Sequence, residues 1–591
     1  MEPKRIFDIV ERYTKHYGME DIVFAWRDPN KQIEGWHKMT VREYAAAVDN
    51  MSYALLHLGI KKGDKVGIVS GNRPEWNIID YAAMQIGAIS VPIYPTISQA
   101  DYRHIISISE MKIIFMEGKE LRQKIEPLLP EMPLLKTVVT MGRHEDNKYP
   151  CYQDIIDLGI AHPAAQTLKE LKDSISENDL ATLIFTSGTT GVPKGVMLSH
   201  KNIIMQVLGV RGIYHGERCR TLSFLPLCHA YERMMVYYYQ YEGWTVYYCR
   251  NVGTIAQDLK EADPAVMTCV PRILEKIFDK LIIQGKKQSL IKRTIFFWAV
   301  SVAENYQFDD RSLWYNIKWK IADRLIYKKL REGIGGHFQV VVSGGSAIQP
   351  RMSAFFSAIG MPIIEGYGLS ETSPVITVSR TGKYQRRPGC VGVALPGVEV
   401  KIADDGEIIC RGDNVMIGYY NNPEMTKEVI DTDGWFHTGD TGILSKEGLL
   451  TITGRKKSLF KTSLGKYVNP EPIENLCSES PMIENLIVLG ENQRFVTALI
   501  SPDFTYLKLW ARQHHLHLST PQQICESAEV KKEIKKDIAA ACKQFGEWEK
   551  IQKFTLVKDQ WTTDNFLSPT LKVKRQKVME AYKAEIEAMY N

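Results

Sequence analysis

Short apolar runs alternate with stretches of helical periodicity along most of the chain. KVGIVS (65–70) reads as a strand, and a helical pattern follows it from about Pro74 through Ala88. AISVPIYP (88–95) reads as another strand. LATLIFT (180–186) is apolar and runs into the glycine-rich stretch TSGTTGVPKG (186–195). VMLSH (196–200) comes next, with Ser199 placed to cap the following helix. RTLSFLPL (220–227), FQVVVSGG (338–345) and MPIIEGYG (361–368) read as buried strands that end in Gly or Pro. Strands that alternate with helices predict an α/β domain with largely parallel sheets. Ligands of such folds gather at the carboxyl ends of the strands. After about residue 385 the texture becomes short, alternating and turn-rich, which predicts an antiparallel β subdomain. From about residue 455 a smaller mixed segment of helices and strands runs to the end.

The chain has 591 residues, too many for one hydrophobic core, so two or more domains are expected. A net charge of +5 is small for that length and argues against a nucleic-acid partner. The first residues carry scattered charges and lack the apolar centre of a signal peptide, and no run of 18 apolar residues predicts a membrane span. Ten Cys lie far apart, from Cys151 to Cys542, without a CxxC pair. They read as reduced, buried thiols of a cytoplasmic protein. The segment 276–331 stands out, with thirteen Lys/Arg against five Asp/Glu and with Trp298, Trp314 and Trp319 among them. KWKIADRLIYKKL within it reads as one basic amphipathic helix. Such a helix either lies solvated on its domain or makes peripheral contact with an anionic membrane, here the inner face.

Residues 186–195 raise the question of chemistry. A phosphate loop of the ordinary nucleotide triphosphatase type places Lys directly after Gly and a Ser or Thr after that Lys. Here Lys194 comes three residues after Gly191, and Gly195 follows it. That spacing rejects the ordinary loop while keeping its logic. Small residues let backbone N–H groups approach phosphate, hydroxyls add donors, and a Lys supplies charge. The same stretch also reads as a ligand-free Gly/Thr hairpin.

In context, LIFTSGTTGVPKGVMLSH resembles the phosphate-loop motif of the ANL superfamily of adenylate-forming enzymes. SGGSAI (343–348), EGYGLSETS (365–373), GWFHTGD (434–440), GRKKSLFKTSLGKYV (454–468) and PTLKVKR (569–575) follow in that superfamily's order. LPLCHAYER (225–233), VPRILEKI (270–277) and PTLKVKR resemble its long-chain fatty acyl-CoA synthetase branch. The resemblance implies a large N-terminal adenylating domain over 1–453, which includes the β-rich part from about 385, and a small mobile α+β domain over 454–591 with a hinge at Lys457. It implies that a fatty carboxylate attacks the α-phosphate of ATP, with Mg²⁺, and that the thiol of coenzyme A then displaces AMP. The expected partners are therefore fatty acid, ATP and coenzyme A.

The resemblance also carries over residue by residue. Thr186, Ser187, Gly188, Thr189, Thr190 and Lys194 are expected to cradle the β- and γ-phosphates. Gly345, Ser346, Glu365, Gly366, Tyr367 and Gly368 form the implied adenine pocket, with Tyr367 stacked on the base. Glu371 is the implied Mg²⁺ ligand, since a cation bridged to phosphates needs only one or two protein carboxylates. Thr372 is assigned to the α-phosphate, and Asp440 and Arg455 to the ribose. Lys572 is the implied catalytic cation, with Lys574 the second choice in the same basic cluster. Lys461, Gly465 and Lys466 are assigned to coenzyme A, and His229 to the wall beside the acyl carboxylate. Some relatives have a Trp that gates the fatty-acid tunnel, and Arg233 falls at that place here. Residues 231–239 (YERMMVYYY) read as an acyl-pocket lining or as a core helix. Taken singly, Tyr367 reads as a core residue, Glu371 as a surface Glu, Asp440 as a turn residue and Lys572 as one Lys of several. Other readings are a carrier-protein thiol as acceptor, a different carboxylate, a silent acyl- or nucleotide-binding protein, and a membrane scaffold.

Overall fold

The computed structural model describes residues 2–27, 35–142, 148–187, 192–213, 219–335, 337–562, 565–568 and 572–591, apart from the side chains of Ser187 and Val252. By internal contacts the chain divides into two units. One comprises Met1–Lys401, Ile409–His437 and Leu444–Thr451, and the other Ile402–Ile408, Thr438–Ile443 and Ile452–Asn591.

The first unit is built on two sheets. Among the described residues, one has seven strands in the order Gly418–Tyr419, Pro193–Ser199, Leu180–Ser187, Ile89–Pro92, Lys65–Val69, Ile113–Met116 and Thr137–Thr140. Pairing from Leu180–Ser187 outward to Thr137–Thr140 is parallel, whereas Pro193–Ser199 runs antiparallel on both its sides. Among the described residues the second sheet has nine strands. Six parallel ones (Ile22–Trp26, Thr245–Tyr248, Arg220–Ser223, Val266–Cys269, Val340–Ser343 and Ile363–Gly368) are flanked by antiparallel edges. The expected parallel character thus holds at the centres of the sheets. There strands such as Ile113–Met116 are buried on both faces and read as unbroken apolar runs.

The predicted helix after residue 70 spans Pro74–Gln85, and Pro at its first position suits the start of a helix. Ser199 caps the helix His200–Gly209: its Oγ accepts from Asn202 N at 3.1 Å, and Asn202 Oδ1 accepts from Ser199 N at 2.8 Å. That helix starts only after the strand Pro193–Ser199. The glycine-rich stretch therefore joins two antiparallel strands, with Thr186 opposite Lys194, and does not run from a strand into a helix.

The predicted basic helix is interrupted. Leu313–Ala322 is α-helical, Asp323–Tyr327 forms a wider π turn, and Lys328–Ile334 resumes the α-helix. Among the described residues, no helix is long and apolar enough to cross a membrane. All ten Cys are free and buried.

The strands expected after residue 385 form as Val398–Ile402, Glu407–Gly412, Phe436–Leu444 and Leu450–Arg455, and their residues are divided between the two units. The second unit also holds a hairpin of Phe460–Lys461 with Tyr467–Val468. Its own three-stranded sheet consists of Ile483–Leu489, Val496–Pro502 and Ile551–Leu556. Helices pack on that sheet around Val488, Ala498, Ile500, Leu507 and Ile534.

Candidate active site

Two groups of polar side chains, one in each unit, contain most of the residues singled out by sequence. In the first unit, the hairpin register sets Lys194 beside the strand Gly418–Tyr419, which pairs with Pro193–Ser199. Lys194 Nζ lies 5.3 Å from the centroid of the Tyr419 ring. The Tyr419 hydroxyl donates to Glu371 Oε1 at 2.9 Å. Burial, and then the Glu371 carboxylate, push the Tyr419 phenol well above its ordinary pKa, so it stays a donor. Met416 N donates to Glu371 O at 2.9 Å and ties the Glu371 turn to the same segment. Among the described residues no group of three or more metal-type ligands occurs. One carboxylate, oriented by a phenol and near a loop lysine, suits a cation that brings phosphate oxygens with it. Gly188, Thr189 and Thr190 lie outside the described residues.

Parallel pairing of Val340–Ser343 with Ile363–Gly368, in which Ser343 faces Glu365, brings the 344–346 turn next to the EGYG stretch. Gly345 has φ +81°, a conformation that a side chain strains, and Ser346 is exposed. Tyr367 is buried in its strand. A Cβ on Gly368 would stand 1.8 Å from Pro374 O, so glycine here admits the protein's own backbone. Gly366 has room, with its nearest neighbour at 3.8 Å. Thr372 is fully buried, and its hydroxyl bonds the backbone of its own turn, donating to Pro374 O at 2.7 Å and accepting from Leu369 N at 2.9 Å.

The Glu365 carboxyl is buried and accepts from Ser353 Oγ at 3.0 Å. Burial raises its pKa to about 8, and the Ser353 hydrogen bond opposes the rise. A raised carboxyl pKa means that the fold favours the proton. This contribution is complete below the ordinary value of 4.5 and is lost as pH climbs through about 8. Glu365→Gln, a neutral isostere, should remove that decline. The expected result is a variant that gains a few °C relative to the wild type between about pH 5 and pH 8.5 in thermal unfolding. Parallel curves for the two proteins would mean that Glu365 is ionised in the fold.

His229 caps the helix Ala230–Tyr241, and its Nδ1 accepts from Tyr231 N at 3.2 Å. In the neutral ring this assigns the proton to Nε2. Asn72 braces the preceding turn, donating to Leu225 O at 2.6 Å and accepting from Leu227 N at 3.1 Å. The whole helix Ala230–Tyr241 is buried, which makes 231–239 a core helix. Arg233 is 2% exposed and paired with Asp80 at 2.5 Å, so its side chain is held in the interior.

In the second unit, Asp440 is buried on the strand Phe436–Leu444, and Arg455 Nε lies 3.3 Å from its Oδ1. Arg455 also reaches Glu471 Oε1 at 3.7 Å. Lys572 stands within electrostatic reach of Arg455, Asp440 and Glu471. Crowding by the protein, then the Arg455 cation, lower its ammonium below the ordinary lysine value, while Asp440 and Glu471 oppose this. By accessible area Lys572 is still exposed, so the crowding is one-sided. Ser568 positions the residue, with Ser568 N donating to Lys572 O at 2.7 Å and Lys572 N to Ser568 Oγ at 3.0 Å. Its neighbours do other work. Lys574 starts the helix Arg575–Ala581, and Arg575 anchors to Glu474 and to Val488 O.

The Phe460–Val468 hairpin turns at Gly465, φ +78°, and Lys466 Nζ lies 5.2 Å from the Trp548 ring. Lys461 Nζ lies 5.4 Å from the Tyr467 ring. Beside this turn is a cavity of about 540 Å³ lined by Thr462, Leu464, Arg494, Trp548, Lys550 and Lys553 among others. Lys457 is exposed in the short turn Lys456–Ser458, while Lys456 pairs with Glu407 and Asp405.

Tyr419 and Glu471 escaped the sequence reading. The faint signals for them were a polar-ended aromatic pair, GYY, and a glutamate in the first turn of a helix opened by Pro470.

Known proteins match this arrangement over nearly its whole length. A family pattern described as AMP-binding enzyme matches residues 11–420, and one described as AMP-binding enzyme C-terminal domain matches 458–591. The long-chain-fatty-acid–CoA ligase FadD15 of Mycobacterium tuberculosis is 34% identical over 575 residues, covering 95% of this chain and 93% of its own. Fatty acyl-CoA synthetase A of Dictyostelium discoideum is 31% identical, covering 93% and 86%. The crystal structure of the anthranilate CoA ligase AuaEII with anthranoyl-AMP superposes with a TM-score of 0.74 at 19% identity, covering 99% of this chain and 98% of that one. The adenylation domain of a Mycobacterium chelonae carboxylate reductase gives 0.79, also at 19%, with 99% and 91% covered.

Proposed function

The chain belongs to the AMP-binding enzyme family, and we propose that it activates a long-chain fatty acid and transfers the acyl group to coenzyme A. A carboxylate acylates poorly because its leaving group would be oxide. In the first half-reaction a carboxylate oxygen attacks the α-phosphorus of ATP, the bond from that phosphorus to the bridging oxygen breaks, and pyrophosphate leaves. In the second, the coenzyme A sulfur attacks the acyl carbon, the carbon–oxygen bond to AMP breaks, and the thiol proton passes to solvent. The observation that carries the reading is the pairing of Arg455 with the buried Asp440 carboxylate, with Lys572 within electrostatic reach of both.

Lys572 supplies positive charge where negative charge grows between carboxylate and α-phosphate. Asp440 accepts from the ribose hydroxyls, and Arg455 holds the Asp440 carboxylate in place. Lys194 and the hairpin hold the outer phosphates. Glu371 would hold Mg²⁺, whose charge offsets that of the phosphates when bound. Lys461 and Lys466, beside the basic cavity, are assigned to coenzyme A. The domains are assigned as 1–453 for adenylation and 454–591 for the moving part, with Lys457 at the hinge. The buried free thiols support a cytoplasmic setting.

The test is pyrophosphate exchange into ATP without coenzyme A, across acids from acetate to oleate. Exchange that peaks at long chains is expected. No exchange with any acid would sink the reading and favour a binding protein. Exchange with long chains but thioester formation only on a carrier-protein thiol would correct the acceptor. Tyr419→Phe removes the donor to Glu371, and the Mg²⁺ concentration for half-maximal exchange should rise roughly tenfold or more. An unchanged Mg²⁺ requirement would remove Tyr419 from that role.

A further inference from the structure

We propose that the exposed face of residues 313–329 docks on an anionic lipid bilayer. Five large apolar side chains on this segment meet solvent: Leu313 at 82%, Trp314 at 76%, Ile317 at 49%, Ile321 at 47% and Leu325 at 46% exposed. The spacing of Trp314, Ile317, Ile321 and Leu325 puts them on one side of the helix.

The opposite side explains why this apolar stripe is left over. Ala322 and Tyr327 belong to the core of the first unit, and Trp319, Ile326 and Leu330 pack on it. Trp319 Nε1 donates to Ala358 O at 2.9 Å, and Tyr327 OH donates to Ala299 O at 2.7 Å. The segment is therefore held from beneath, and its rotation is set. The outer residues are not a frayed edge of the core.

The charges around the stripe have one sign. Lys318, Lys320, Arg324, Lys328 and Lys329 are all exposed. Over the α-helical part Leu313–Ala322, at 100° per residue, Lys318 borders one edge of the stripe and Lys320 the other. The single acidic residue between 313 and 329 is Asp323, which pairs with Arg331 at 2.6 Å. Among the described residues no carboxylate pairs with the five cations.

An apolar ridge with cations on both edges fits the bilayer interface. The aliphatic groups enter the acyl boundary, a tryptophan sits at headgroup depth, and lysine stems lie along the apolar surface with their ammonium groups among phosphates. A second copy of the chain would bring like charges together. A neutral protein groove would leave the five cations without partners.

The experiment is co-sedimentation of the full chain with vesicles of phosphatidylcholine alone and of phosphatidylcholine mixed with phosphatidylglycerol. Binding is expected on the mixed vesicles, much weaker on the neutral ones, and falling as salt rises. The double variant Trp314→Ser/Ile321→Ser should bind the mixed vesicles at least about tenfold more weakly. Its pyrophosphate exchange with a soluble medium-chain acid, measured without vesicles, should match the wild type and show that the fold is intact. Vesicle binding is read without turnover, so it is independent of the proposed reaction. Absence of binding to the mixed vesicles, equal binding to both kinds, or full binding by the double variant would overturn the proposal. A dimer lost on Trp314→Ser/Ile321→Ser, with vesicle binding unchanged, would overturn it and make the stripe a protein interface.

Discussion

Lys572→Ala should lower pyrophosphate exchange by about 10²–10³-fold while thioester formation from supplied acyl-adenylate stays within a few-fold of wild type. That loss corresponds to about 3–4 kcal/mol of transition-state stabilisation. The asymmetry is the informative part. Charge builds between carboxylate and α-phosphate only in the first half-reaction, so a cation that acts there leaves the second unaffected. Lys574→Ala is the matched control, since Lys574 opens a helix and its backbone N donates to Phe566 O at 2.8 Å. It should retain most of the exchange activity. Equal loss of both half-reactions in Lys572→Ala would remove Lys572 from the adenylation step. A pH profile adds a second reading. The ammonium is lowered by crowding and by Arg455, so exchange should begin to fall at a lower pH than an ordinary lysine would give. Lys572→Arg should abolish that alkaline limb whatever its absolute rate.

Arg233→Met should cost the first unit about 3–5 kcal/mol, because it leaves a buried carboxylate without its cation. Arg233 Nη2 reaches Asp80 Oδ1 at 2.5 Å, and its Nε reaches Asp80 Oδ2 at 3.2 Å. Nη1 donates to Thr182 Oγ1 at 2.7 Å, and Ser90 Oγ donates to Asp80 Oδ1 at 2.6 Å. Tyr237 OH donates to the same carboxylate, and Asp80 and Arg233 are 0% and 2% exposed. Four elements meet here: the helix Pro74–Gln85, the strands Ile89–Pro92 and Leu180–Ser187, and the helix capped by His229. Thermal or urea unfolding followed through the first unit's signal measures the loss. Arg233→Met/Asp80→Leu should recover much of it, since removing both charges leaves neither one stranded. A single variant with a cost under about 1 kcal/mol would mean that water or another cation satisfies Asp80.

How much was legible beforehand differs from residue to residue. The strands at 65–70, 180–186 and 361–368 were readable because strands buried on both faces carry runs of apolar residues. Ser199 was readable because capping depends on residues three apart. The periodicity of KWKIADRLIYKKL predicts a basic helix, and local composition carries no mark of the π turn that Asp323–Tyr327 inserts into it. Residues 231–239 left two readings open. An aromatic run has the same appearance whether it lines a cavity or fills a core.

The amino-acid sequence by itself determined what depends on neighbours along the chain. This includes the alternation of strands and helices, the Gly/Thr-rich stretch with its single Lys, the carboxylate in GLSET, and a basic cluster near the end. From these followed a family, and with it a reaction. Tertiary structure alone decided which distant groups meet. Tyr419 finds Glu371 across 48 positions, and Arg233 finds Asp80 across 153. Glu471 joins Arg455, and of the basic residues in LKVKRQK it is Lys572 that comes within reach of Asp440. Packing beneath 313–329 likewise decided which face of that helix stays in solvent. The physical reason is common to all of these. Sheet register and helix rotation are set by burial of the whole apolar surface at once, and a side chain's partner follows from that global fit.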